Sequence, residues 1–382
     1  MSATTGYRLS DEQRLDWLRL IRCENVGPRN FRDLVTRFGG ARAALAALPE
    51  LSRRGGRKGG LAICRIEDAE LEIDLIDQFG ARLVALGEAD YPPLLSRVDY
   101  PPPLLTVKGR GELLIRPAIA IVGARNASAA GRKMAAQLAA DLGAAGQVIV
   151  SGLALGIDGV AHQAALDTGT IAVVAGGIDI VYPPEHENLC GRIGEAGALV
   201  SEIAMGTRPT RSHFPRRNRL VSGIATGTVI IDAAARSGSL ITARTALEQN
   251  REVFVVPGSP LDPRAAGGNR LIRDGATLVR HADDILEGLN PMVRNLAEIP
   301  ADQAGGQTPF LMEPDHAAIA ASDPGPDTRE AVLRLLSVSP VEIDELIRAA
   351  NAPARDVVGV ILELEVAGRV HRQAGQRVVL AP

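Results

Sequence analysis

"AIAIVGARNASAAGRKMAAQLAADLGAAGQVIVSG", residues 118–152, is the stretch on which the fold turns. It opens on an unbroken apolar run, 118–123, that ends in glycine. A short turn follows, with Ser128 ahead of an Ala-rich stretch (129–146), and a second apolar run, "VIVSG" (148–152), closes the segment. Ala, Leu, Met, Gln and Lys favour helix, and serine just before them is a good N-cap. Strands buried on both faces read as continuous Val/Ile runs rather than alternating ones, and two joined by a helix lie parallel. The segment therefore predicts a strand, a crossover helix and a second strand.

The same alternation extends outward from about residue 68 to 290. Further strand candidates are "RLVAL" (82–86), "PLLTVKG" (103–109), "TIAVVAGG" (170–177), "ALVSE" (198–202), "TVIIDA" (228–233), "VFVVPG" (253–258) and "TLV" (277–279). Helical stretches such as "LITARTALEQN" (240–250) lie between them. The pattern predicts an α/β domain: a Rossmann-like, doubly wound, mostly parallel sheet.

Residues 1–67 predict an all-α domain. Ser10 caps "SDEQRLDWLRLIRC", whose Leu15, Leu18 and Ile21 recur at helical spacing. A Val-Gly-Pro turn then leads into a helix carrying Phe31, Leu34, Val35 and Phe38. The cationic, glycine-rich "RRGGRKGG" (53–60) reads as a mobile loop. Residues 291–327, with "GGQTP" and "DPGPD", read as a flexible linker. From 328 to 382, three helical stretches ("TREAVLRLLS", "VEIDELIRAA", "APARDVVGVILELEVAG") precede "RVHRQAGQRVVLA", a hairpin turning at Ala374-Gly375. Three helices and a hairpin predict a winged helix. Its third helix offers only Arg355 against Asp356, Glu363 and Glu365, which suits packing or protein contact better than reading a major groove.

Bulk composition narrows the function. The 382 residues are 46% hydrophobic but only 3% aromatic, so Ala, Val, Leu and Ile must fill the cores. A net charge of -3 excludes a uniformly basic nucleic-acid coat and leaves local clustering as the route to a polyanion. Cys23, Cys64 and Cys190 are scattered and odd in number, which suits a reducing compartment. With no signal-like N-terminus or long apolar run, the expectation is a cytoplasmic protein without a membrane partner.

Charge clusters in one place. No acid occurs between Glu202 and Asp232, while Arg208, Arg211, Arg216, Arg217 and Arg219 fall within that interval. Phe214 and Pro215 adjoin the last three arginines. Guanidinium forks bind phosphates, and an aromatic face beside them suits a single-stranded base. The alternative for Arg217 or Arg219 is a pair with an internal acid that holds the sheet edge. Pro215 is expected to start the next helix.

The residues after the strands ("GARNAS", "SGLALGID", "GGID", "AAARSGSLITA", "PGSP") are small, as an anion site at strand ends requires. No second glycine follows Gly123 in the dinucleotide spacing, and no P-loop is present, so neither cofactor is expected. The six histidines make no metal spacing. His162 reads as a packing residue, and Asp158 and Asp232 as structural carboxylates.

Together, "VGARNAS" (122–128), the run from Ser151 to Leu189, the run from Ser201 to Gly258 and "GGNRLIRDGA" (267–276) resemble the DNA-processing protein A family, also called DprA or Smf. The flanking domains resemble those of many members, the first being similar to SAM or helix-hairpin-helix units. In the latter, the turn's backbone holds a nucleic-acid phosphate. The family resemblance implies a non-enzymatic mediator that binds and protects single-stranded DNA. It would help load RecA in natural transformation and recombination, act as a homodimer and meet single-strand-binding protein. By position, it implies a phosphate loop at Gly123, Arg125 and Ser128, with Ser151 and Gly152 beside it. Arg211 and Phe214 would supply a cation and a stacking face. Arg217, Asn218 and Arg219 would form a basic rim, and Ser237, Gly238 and Ser239 a helix N-terminus. Two departures are Leu155, where many relatives carry Lys, and Asp232, where they often carry Glu.

A rival reading is a nucleotide-processing hydrolase similar to the cytokinin-activating phosphoribohydrolases. In "ARSGSLITA", however, Ala243 stands where that group's catalytic Glu is needed. A third reading is a sequence-specific regulator acting through the winged helix.

Overall fold

The computed structural model describes residues 8–289, 324–373 and 375–381. They divide into two compact units. One is the sheet unit, which begins at Glu72; the other joins the residues up to Leu71 to the C-terminal segment.

The sheet unit has nine strands: β1 (Ala81–Ala85), β2 (Leu104–Gly109), β3 (Ala118–Gly123), β4 (Val148–Ser151), β5 (Thr170–Val173), β6 (Ala198–Ser201), β7 (Gly227–Ile231), β8 (Glu252–Val255) and β9 (Thr277–Leu278). Their order is β1-β2-β6-β5-β4-β3-β7-β8-β9. The β1–β2 and β2–β6 pairs are antiparallel, and every other pair is parallel. All nine expected strands are present, so the sheet is the mostly parallel, Rossmann-like one that the apolar runs predict.

Helices cover both faces. On one, Leu138, Ala139 and Leu142 of α5 (Ala129–Ala144) pack on Ile119, Ile121 and Phe254. Farther along the same face, Leu189 and Ile193 of α7 (Glu187–Ala196) pack with Leu199 and Ala172, which the strand register aligns with Ile119 and Ile121; the helices His213–Ile224 and Ser239–Glu248 lie against the other face. Burying each such Leu or Ile contributes about 1.5–3 kcal/mol. From β3 the chain winds out through β4 and β5 to β6, then returns to lay β7 against the other side of β3. The crevice beyond the ends of β3 and β7 is thus the switch point where such sheets bind ligands.

The second unit begins with α1 (Asp11–Arg22), α2 (Pro28–Phe38) and α3 (Ala41–Arg54). Ser10 and Gln13 form a capping box at α1, and Trp17 meets Phe31 edge to face with centroids 5.1 Å apart. The stretch "RRGGRKGG" departs from its reading as a mobile loop. Arg53 and Arg54 close α3 and pair with Glu50, and Arg57 pairs with Glu24. Helix α4 (Ile66–Gln78) runs through the expected domain boundary at residue 67.

Helices α11 (Pro326–Leu335), α12 (Ile343–Ala350) and α13 (Ala354–Val366) and the hairpin of β11 (Val370–Gln373) and β12 (Arg377–Leu380) form the winged helix. A short β10 (Val341–Glu342) pairs with β12. The expected linker lies outside the described residues up to 323, and α11 begins two residues before the expected boundary at 328. The two flanking segments, read as separate domains, pack as one unit.

Candidate nucleic-acid interface

Helix α8 (His213–Ile224) carries much of the arginine cluster. It starts at His213, two residues earlier than expected, so Pro215 lies within its first turn. There the missing N–H sacrifices no intrahelical bond. Phe214, Arg217, Asn218 and Val221 recur at helical spacing and line one wall of a cavity of about 330 Å³. Gly123 and Arg125 line it from the end of β3, Gly152 from the end of β4, and Ser237, Gly238 and Ser239 from the N-terminus of α9 (Ser239–Glu248). A smaller cavity of about 50 Å³ adjoins it, sharing Arg125, Gly152, Phe214 and Arg217 and adding Leu155, Ile180 and Tyr182.

Two glycines are required by close approach. A Cβ on Gly123 would overlap the Ile231 carbonyl, and one on Gly152 would overlap the Arg217 guanidinium. Arg217 is therefore a wall of the site rather than a free rim charge. It is 6% exposed and donates from Nη1 to Val173 O at 2.9 Å. Asp158, equally buried, accepts from Gly152 N at 3.2 Å and Ala154 N at 3.3 Å. Burial pushes the Asp158 carboxyl up, opposed by the attraction of Arg217, and pulls the Arg217 guanidinium below its ordinary value. Each charge attracts the other at the floor of the cavity, against the cost of burying both.

Arg219 departs from the expected rim. It pairs with Glu202, donates to Tyr100 O at 3.4 Å, and is not among the cavity's lining residues. It takes the alternative weighed for this cluster, an internal pair. Ser128 and Ser151 also face inward. Ser128 caps α5 by accepting from Gly131 N at 2.8 Å, while its own N–H donates to Asp232 Oδ2 at 2.7 Å. The α5 N-terminus is thus already met by a protein carboxylate. Ser151 is buried and donates to Ile121 O at 2.6 Å. Arg211 is exposed, two residues before α8 and outside the lining of either cavity.

The N-terminus of α9 differs. Gly238 precedes it without a side-chain cap, and Ser237 and Ser239 share a hydroxyl contact at 2.7 Å beside the cavity. This end turns the positive pole of its dipole toward the cavity, while the N–H groups of Ser239, Leu240 and Ile241 donate locally to Ser237 Oγ, Ser237 O and Gly238 O.

Phe214 stands between two partners. The Arg125 guanidinium lies 5.3 Å from its ring centroid, and the Tyr182 ring lies 5.6 Å away at 54°. Tyr182 was missed in the sequence. The reasoning that singled out Phe214, an aromatic in an aromatic-poor chain near a strand end, applies to it equally. His162 is a packing residue: it is fully buried, bonded through Nδ1 to Thr170 Oγ1 at 2.7 Å, and burial pulls its pKa down to about 3. His186 contacts Leu153 O at 3.0 Å and so braces the Gly152–Gly156 loop. Among the described residues no cluster of three His, Cys, Asp or Glu is placed to hold a metal, and no helix is long and apolar enough to cross a membrane.

Known proteins with these features are similar along most of the chain. The family model for DNA recombination-mediator protein A matches residues 82–290. Models for a DprA-like N-terminal HHH domain and a DprA winged helix domain match 11–74 and 315–376. Protein Smf of Escherichia coli is 37% identical over 297 residues, covering 77% of this chain and 76% of its own. The DNA processing protein DprA of Bacillus subtilis is 42% identical over 213 residues, 55% of this chain and 72% of its own. The solved structure of DprA from Streptococcus pneumoniae aligns with a TM-score of 0.60 at 32% identity, covering 73% of this chain and 98% of that one. That of Helicobacter pylori DprA, described for its single-stranded DNA binding mode, aligns with a TM-score of 0.50 at 28% identity over 56% and 96%. The chain belongs to the DNA recombination-mediator protein A family.

Proposed function

We propose that the switch-point cavity binds single-stranded DNA and that the chain acts as a recombination mediator, protecting the strand and helping to load RecA during transformation or recombination. The observation that carries the reading is Phe214, held between Arg125 and Tyr182 at the mouth of a cavity that also receives the α9 N-terminus. A phosphate meets the positive end of a helix dipole and a guanidinium there, and a base meets aromatic rings: the two contacts that sequence-tolerant strand binding needs. The single-stranded DNA binding mode described for the Helicobacter pylori relative supports it.

In this reading Gly123 and Gly152 give the strand room, Arg125 and the α9 end at Ser237–Ser239 hold phosphate, Asn218 lines the path and Arg217 keeps the floor cationic. Arg211 adds long-range attraction. The role is binding rather than catalysis, in the cytoplasm and as a homodimer. Fluorescent oligo-dT tests it: binding should be tight, fall steeply as salt rises and show little sequence preference. RecA filament growth on DNA coated with single-strand-binding protein should be faster when the chain is present. Salt-independent binding, or release of base from nucleoside monophosphates that Asp232→Ala abolishes, would favour the hydrolase instead.

A further inference from the structure

Neither Cys23 nor Cys64 lines the switch-point cavity. They stand 41 positions apart in the sequence, and the fold of the second unit brings them together. Cys23 closes α1 as its C-cap. The chain between α3 and α4 folds back along that helix end. Glu24 N donates to Ala62 O at 3.0 Å, Ala62 N donates to Glu24 Oε2 at 3.2 Å, and Arg57 pairs with the same carboxylate at 2.9 Å. Arg19 Nε donates to Cys64 O at 3.3 Å. Held in this way, Cys64 N donates to Cys23 Sγ at 3.4 Å. The Cys64 side chain thus hangs from a backbone already in contact with the other sulfur, and such closeness is what bridging two cysteines requires.

The two thiols are unequal. Cys23 is 4% exposed and donates from Sγ to Arg19 O at 3.1 Å, and burial pushes its thiol up. Cys64 is only half-buried, and its Sγ lies 3.5 Å from Arg65 O. The Arg65 guanidinium also interacts with it. Partial exposure beside a cation is the setting of a cysteine that reacts first, and a buried thiol within reach can then resolve it. Cys190 is buried in the core of the sheet unit and serves as an internal control.

We propose that Cys64 and Cys23 are a redox modification site: a peroxide oxidises them to a reversible disulfide that clamps residues 61–65 to the end of α1. Cys64, having lost its proton to water, attacks one oxygen of hydrogen peroxide. The O–O bond breaks, Cys64 becomes a sulfenic acid, and the departing hydroxide takes up that proton as water. Cys23 then attacks the sulfenic sulfur. The S–S bond forms, and the Cys23 proton leaves with the displaced hydroxyl as a second water. Two electrons pass from the thiols to the peroxide, and a dithiol reductant returns them. The loop closed by the bond contains all of α2 and α3. In a reducing compartment such a bond is a transient sensor. The site is independent of strand binding at the switch point, so either reading can fail without the other.

Peptide mapping of the full chain tests the pair. The reduced protein is treated with hydrogen peroxide, denatured, alkylated and digested beside an untreated sample. A Cys23–Cys64 cross-linked peptide that dithiothreitol removes is expected, with Cys190 alkylated in both samples. The oxidised chain should exchange amide hydrogens more slowly at 57–65, and the second unit should melt about 5–10 °C higher than in the reduced chain. In Cys23→Ala, dimedone should trap the sulfenic acid on Cys64, and Cys64→Ser should lose both the adduct and the cross-link. Melting of each reduced variant checks its fold, and the wild-type map decides the pairing without them. Cys23 left open to alkylation after peroxide, a bond from either residue to Cys190, or a bond between two chains would overturn the pair. A cross-link that changes neither exchange nor melting would overturn the clamp.

Discussion

Phe214, Arg217 and Arg219 sit within six positions and do three different things. Phe214 presents a ring, Arg217 forms a buried floor and Arg219 ties α8 to Glu202. Substitutions should separate them. Arg217→Ala removes the buried donor to Val173 O and the charge that attracts Asp158, and should cost about 1–3 kcal/mol of stability, read by chemical denaturation. A loss of binding with unchanged stability would show instead that Arg217 is a phosphate ligand. His162 gives a pH test. Its pKa falls from 6.5 to about 3 on burial, so the unfolded chain binds the extra proton first. Stability should therefore decline as pH drops from 6.5 toward 3, and the decline should be shallower in His162→Gln. At this scale the sequence showed which residue types gather but not where each one points. That Ser128 donates to Asp232 depends on a contact between residues 104 apart, which no local pattern records.

At the scale of elements, the strands were legible because burial on both faces demands continuous Val/Ile runs, and these are rare elsewhere. Helix α8 was legible in part. Residues 214, 217, 218 and 221 share one face at 3.6-residue periodicity, whereas 219 lies about 200° around the helix from 217 and cannot join them. Applied to the arginine cluster, that rule alone predicts that Arg217 and Arg219 face different partners. The loop after β4 is as constrained as the helix. Gly152→Ala should displace Arg217 and weaken oligo-dT binding and stability together, read by titration and melting. In α13, Glu365 has its pKa raised to about 7, chiefly by burial, in a cluster with Arg372, Asp33 and Arg29. The folded form then holds a proton that the unfolded chain releases near pH 4.5. Stability of this unit should fall as pH rises from 4.5 through 7, and Glu365→Gln should flatten that slope. A slope of the opposite sign would mean that the Arg372 pair outweighs desolvation.

At the scale of the whole molecule, three sequence segments become two compact units. The sheet unit follows from local signals repeated in order. The union of the two flanking segments does not, because its contacts join residues as far apart as Asn25 and Val366. Glycine at 55 and unpromising charges on α13 were visible in the sequence, and only their meeting, with the Glu363 carbonyl where a Gly55 Cβ would lie, explains them. The acid-poor arginine stretch and the family resemblance both direct the strand to the switch point, and the account stands on Phe214 being its platform.

The most direct test is the affinity of fluorescent oligo-dT for the wild-type chain and for Phe214→Ala, at two salt concentrations, with melting curves for both. The account predicts that the variant melts normally, keeps most of its salt dependence and loses about 1–3 kcal/mol of binding, the worth of one stacked base. Equal affinity of the two proteins would contradict it and remove Phe214, and with it the switch-point cavity's stacking face, from the strand's path.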